Sequence, residues 1–198
     1  MARPKSSFFW FILAVLTTAG LTAVGPEEKS LGDNVRIVYL HGAWVLTAEI
    51  ALCLAGVAGL FAILTRREGL HRWSAALGRT GIFFWVTYLP LALWAMQSNW
   101  NGLFLSEPRF RASVILAATG VLLQIGVTLL ARPVITSLVN VLFFVALQIT
   151  VSRAGYVLHP PPSPIFGSGI LSIELFFIGI IFLTMAAAYF MTRWWLAR

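Results

Sequence analysis

The chain has 198 residues, of which 59% are hydrophobic and 11% charged, with a mean hydropathy of +0.87. A soluble domain is nearer half apolar and a quarter charged, so too little polar surface is present to cover a water-facing globule. At roughly 20 apolar residues per spanning helix, the apolar share suffices for about six helices and leaves only loops and tails, which excludes a separate soluble catalytic domain. The net charge of +7 comes from 14 basic and 7 acidic residues. The basic residues are scattered or paired, as at Arg66 and Arg67, and never form a run, so nucleic acid is not an expected partner. Cys53 is the single cysteine, which excludes an intramolecular disulfide, a cysteine-based zinc site and a CxxCH haem attachment.

The first apolar segment, at about 7–24, follows Arg3 and Lys5. A basic flank before an apolar stretch also fits a secretory signal, with small residues at 23–25 for cleavage. The length of the run, and Pro26 just beyond such a cut, favour a retained spanning helix. The second segment runs from about 36–64, after a polar stretch, and is long enough to span with tilt. A basic loop with Arg66, Arg67, His71 and Arg72 separates it from the third, at about 75–96. His71 is expected to be solvated there. The fourth, at about 110–131, and the fifth, at about 134–152, are separated only by Arg132 and Pro133, so they must be antiparallel neighbours. A loop at 153–169 rich in Pro and Gly leads to the sixth, at about 170–192. The expected fold is an all-α integral membrane protein, a single bundle of six transmembrane helices.

Six spans put both termini on one side. That side carries Arg3, Lys5, Arg66, Arg67, Arg72, Arg79, Arg132, Arg193 and Arg198, with Glu68 as its acid. The other side has Lys29, Arg36, Arg109, Arg111 and Arg153, balanced by Glu27, Glu28, Asp33 and Glu107. The positive-inside rule therefore predicts that both termini are cytoplasmic. Trp73, Trp194 and Trp195 fall at the expected inner interface, Trp94 and Trp100 at the outer one.

Two histidines lie on the outer side. His41 sits five residues after Arg36, about 7.5 Å along the second helix. His159 precedes Pro160, Pro161 and Pro162, which favour a stiff extended backbone that holds the ring in place. Two histidines at one membrane depth on different elements suit axial ligation of a haem iron. Ordinary interfacial hydrogen bonding is the other reading for each. The outer loop at 97–109 and its continuation to Arg111 interleave Trp100, Leu103, Phe104 and Leu105 with Glu107, Arg109 and Arg111. Aromatic surface beside guanidinium suits a flat macrocycle with carboxylate tails. An amphipathic loop resting on lipid headgroups has the same composition.

The stretch RIVYLHGAW at 36–44 resembles the histidine-bearing start of the second helix in the CcmC haem-handling proteins of cytochrome c maturation. WNGLFLSEPRF at 100–110 is similar to that family's tryptophan-rich outer motif, keeping Trp100 but carrying Leu103, Phe104 and Ser106, with Glu107 for the acid. Leu158 and His159 match the second family histidine, and the likeness covers about 31–191. The resemblance implies the cytoplasmic (inner) membrane and non-covalent haem b at its periplasmic face, with His41 and His159 as axial ligands and Trp100, Phe104 and Arg109 lining it. Arg36, at the head of the first motif, joins them as a binding candidate. It also implies a periplasmic haem chaperone and ABC-type membrane subunits as partners, beside membrane lipid, and ligand transfer rather than catalysis. No GxxxxGK[ST] loop is present, so an ATP-driven step would belong to a partner.

Glu49 and Glu174 fall inside spans, where a carboxylate is expensive. Both are expected to face the bundle interior. Ala51, Ala55 and Gly59 form a small-residue stripe for close helix approach. Cys53 is expected to be buried and inert. Beside haem handling stand two other readings: a structural or accessory subunit of a larger respiratory or photosynthetic membrane complex, and a small-solute transporter with Glu49 in its path.

Overall fold

The computed structural model describes residues 4–155 and 165–198. It is 83% helical, built from α1 (Pro4–Ala23), α2 (Val35–Thr65), α3 (Glu68–Trp100), α4 (Pro108–Leu130), α5 (Pro133–Arg153) and α6 (Leu171–Leu196). Each helix is long and apolar enough to cross a membrane, so the expected all-α six-span bundle is the observed fold. Among the described residues the β pairing is limited to an isolated bridge between Glu28 and Gly32.

The helices stop where the chemistry of the backbone requires it. Arg66, Asn101 and Ala131 adopt left-handed backbone, with φ of 56°, 51° and 49°, and end α2, α3 and α4. Pro108 and Pro133 open α4 and α5 at positions where a missing N–H costs nothing. Glu107 caps α4, its Oε2 accepting the Phe110 N–H at 2.5 Å.

Helices α2 and α3 have 31 and 33 residues. At 1.5 Å per residue they reach about 46 and 50 Å, against roughly 30 Å of hydrocarbon. The excess explains two corrections. Helix α3 begins at Glu68, so the expected basic loop shrinks to Arg66 and Arg67. His71 is consequently not solvated: it is 3% exposed, with Nδ1 2.7 Å from Ser137 Oγ of α5. At its other end α3 continues to Trp100, leaving 101–107 as the connection. Cys53, expected to be buried, is half-buried.

Helices α2 and α3 form the central pair, with α5 and α6 against both, α1 on α6, and α4 on α3 and α5. Phe8 of α1 packs on Trp194 of α6 at 5.3 Å between ring centroids, and Arg72 of α3 donates to the Leu196 carbonyl at 3.0 Å. The start of α1, the end of α6 and the α2–α3 connection thus share one end, here the basic end. The small-residue stripe does bring helices close. A Cβ at Gly59 would lie 2.7 Å from the Ser137 carbonyl of α5.

Polar side chains stitch this half together. Ser74 donates to the Ala55 carbonyl at 2.8 Å, Asn140 to the Ser74 carbonyl at 2.9 Å, and Gln124 to Asn140 Oδ1 at 3.0 Å. One chain of hydrogen bonds therefore links α2, α3, α5 and α4. In lipid, where apolar side chains gain nothing by leaving water, such bonds and close packing hold helices together.

Candidate functional site at the far end of the bundle

Opposite the basic end, side chains from α2, α3, α4, α5 and α6 surround a pocket of about 220 Å³. Helix α2 contributes Val38, His41, Gly42, Val45 and Glu49. These stand at i, i+3, i+4, i+7 and i+11, one stripe of the helix. Tyr88 and Trp85 of α3 and Phe177 of α6 supply aromatic wall. Residues at the head of α4 supply the charge, with Glu107 and Arg109 both at the lining.

The polar groups are mutually engaged. The His41 and Tyr88 rings lie 5.6 Å apart between centroids, tilted by 48°. Glu49, Tyr88, Arg109 and Ser113 line the same space. Glu107 is 4% exposed, and while its Oε2 caps α4, its Oε1 has no hydrogen-bond partner among the described residues. A buried carboxylate oxygen without a donor is costly, so this atom is a point where the pocket asks for one.

Of the residues singled out from the sequence, the fold brings His41 and Arg109 to one pocket. Trp100 and Phe104 are at the same end but outside the lining, 36% and 42% exposed. With Leu103 and Leu105, at 54% and 55%, they form an exposed apolar segment just before the α4 cap. Arg36 is placed elsewhere. It bonds Asp33 at 2.9 Å, Glu27 at 3.5 Å and the Gly25 carbonyl at 3.1 Å, and so pins the α1–α2 connection over the start of α2. His159 lies outside the described residues.

Glu49 is the member that composition alone did not connect to the site. It faces the interior as expected, but its neighbours are His41's neighbours. The stripe spacing from Val38 to Glu49 was the available signal, whereas Tyr88 and Trp85 carry none that separates them from ordinary core aromatics. No family model, curated protein or solved structure matches the chain.

Proposed function

We propose that the chain binds haem non-covalently in the far-end pocket and passes it on during cytochrome c biogenesis, with the pocket facing the periplasm and both termini in the cytoplasm. One observation carries this reading: His41 of α2 and Arg109 of α4, distant in sequence, line one aromatic-walled pocket. The donor set suits the cargo. An imidazole nitrogen is an axial ligand for haem iron, and a guanidinium pairs bidentately with a propionate.

The size of the pocket is part of the argument. Sites that bury a drug-sized ligand enclose roughly 300–1,000 Å³. About 220 Å³ is too little to bury a macrocycle whole, which suits a carrier that must release what it holds. The exposed segment of Leu103, Phe104 and Leu105 then offers an apolar surface to the next protein, a periplasmic haem chaperone by the family resemblance. ABC-type membrane subunits are the expected partners for any energy-driven step. The excess of arginine at the basic end supports the orientation.

The visible spectrum of the purified protein tests the proposal. A Soret band with low-spin bis-histidine features, weakened in both His41→Ala and His159→Ala, is the expected result. A chain that is purified without haem and takes up none when it is added overturns it. Should that haem-free chain co-purify in fixed stoichiometry with an electron-transfer complex, an accessory-subunit role replaces it.

A further inference from the structure

A second, larger concavity of about 840 Å³ lies between α2, the start of α3 and the end of α6. Its floor is small, formed by Ala51, Ala58 and Ala188, and its rims are large and apolar, with Leu54 and Phe61 of α2 at 48% and 53% exposure. The depth follows from that contrast: Ala51 and Ala58 of α2 lie beside Ala188 of α6, and Leu54 and Phe61 stand exposed next to them. The groove is thus an apolar slot on a face that a membrane would cover.

The basic end of the slot has a different chemistry. Arg67, Trp73 and Tyr189 line it there. Among the described residues no carboxylate lies within ion-pair distance of Arg67, although Glu68 is its chain neighbour. Tyr189 accepts a hydrogen bond from Arg193 Nη1 at 3.0 Å, and that guanidinium lies 5.8 Å from the Tyr189 ring centroid. The phenol proton is left to donate, and a second cation stands behind it. A tryptophan and a tyrosine at the mouth of an apolar slot are what the headgroup level of a membrane favours.

We propose that this groove is a binding site for one anionic glycerophospholipid, with an acyl chain in the slot and the phosphate on Arg67 and the Tyr189 hydroxyl. The charge argument selects the headgroup: cations converge at one end of the slot, and an anionic lipid neutralises them where a zwitterionic one does so only in part. A basic pocket between spanning helices on the arginine-rich side is a recurrent setting for such lipids. The site is separate from the far-end pocket and stands whether or not haem is bound there.

Native mass spectrometry of the full chain in detergent, with phosphatidylglycerol or phosphatidylcholine added at equal concentration, reads the proposal directly. One phosphatidylglycerol is expected to be retained, about fivefold more tightly than phosphatidylcholine, since each basic residue beside net negative lipid charge is worth about that factor. Arg67→Gln should remove most of the preference for phosphatidylglycerol while leaving weak retention of both lipids. Ala58→Trp, which fills the floor, should abolish retention of both. Thermal melting with each lipid is the control for folding: phosphatidylglycerol should raise the melting temperature of the native chain more than that of Arg67→Gln. Equal retention of the two lipids by the native chain, or retention unchanged in both variants, overturns the proposal. So does a groove filled by a co-purifying protein helix that lipid cannot displace.

Discussion

The imidazole of His41 and the phenol of Tyr88 face each other across the α2–α3 interface, 5.6 Å between ring centroids, at the wall of the far-end pocket. The pairing separates two roles. His41 carries an imidazole nitrogen of the kind that coordinates iron, whereas Tyr88 packs its ring beside it and shares the lining with Arg109 and Ser113. His41→Ala should therefore weaken haem uptake at least tenfold in a spectral titration. Tyr88→Phe keeps the ring contact and should change affinity by no more than about threefold, the worth of one modest hydrogen bond. Equal losses in the two variants would mean that the pocket recognises haem through shape and not through the iron.

Glu107 has two oxygens with opposite consequences. Oε2 caps α4, and Oε1 is buried without a donor among the described residues. Glu107→Gln keeps a cap acceptor and removes a buried negative charge beside Arg109. Its melting temperature should match or exceed that of the native chain, and a propionate-bearing ligand should bind more tightly. Glu107→Ala loses the cap and should cost about 1 kcal/mol of stability. Thermal melts with and without haem distinguish the two oxygens. A Gln variant that melts well below the native chain would show that Oε1 has a donor of its own.

The six spans were legible because each is an apolar run that only a membrane can cover. Their ends were not. Residues 68–74 read as a basic loop by composition, yet they continue α3, because a helix longer than the membrane carries polar turns past the lipid without breaking. That is how His71 came to be buried against Ser137. Arg36 shows the complementary limit. Its motif position marked it for a ligand, but two nearby carboxylates and the Gly25 carbonyl hold it at the α1–α2 connection, and sequence spacing does not reveal which of several arginines is already taken. Glu49 was placed in the interior by the cost of its charge. Helix spacing could put His41 on the same stripe, but only the fold shows which side chains of α3, α4 and α6 close that stripe into a pocket.

At the basic end, the hydrogen-bonded chain from Ser74 through Asn140 to Gln124 should be cooperative. Asn140→Leu removes a donor to Ser74 and an acceptor for Gln124, leaving the buried Ser74 and the half-buried Gln124 without those bonds. Each lost intramembrane bond is worth about 0.6–1.7 kcal/mol, so a total of roughly 1–3 kcal/mol is expected. A double-mutant cycle between Asn140→Ala and Gln124→Ala should show a coupling of at least about 0.5 kcal/mol. Strict additivity would mean that the two side chains act independently.

Gly59→Ala is a packing counterpart to that test. The added methyl would meet the Ser137 carbonyl at 2.7 Å, a backbone atom that cannot rotate away. Helices α2 and α5 must then separate, and overpacking of this kind costs about 1–3 kcal/mol. The melting temperature should fall, and the His71–Ser137 hydrogen bond should weaken with it, visible as a shift of the imidazole resonances. An unchanged melt would indicate that the two helices slide past each other at little cost.

The turn that Glu28 makes between α1 and α2 should respond to acid. The Ser30 hydroxyl donates to Glu28, and the Ser30 and Leu31 N–H groups add to it at 2.8 and 3.0 Å, which together hold the carboxyl below its ordinary value of 4.5 despite some desolvation. A depressed folded value means that the turn's stabilisation is complete above the unfolded value and is lost as the pH falls through the folded one. The turn should therefore persist at neutral pH and open only below 4.5. The Ser30 and Leu31 amide shifts followed by NMR should titrate with a midpoint below that value, and Ser30→Ala, by removing the largest contribution, should raise the midpoint toward it. A midpoint at or above 4.5 in the native chain would show that desolvation outweighs the three donors.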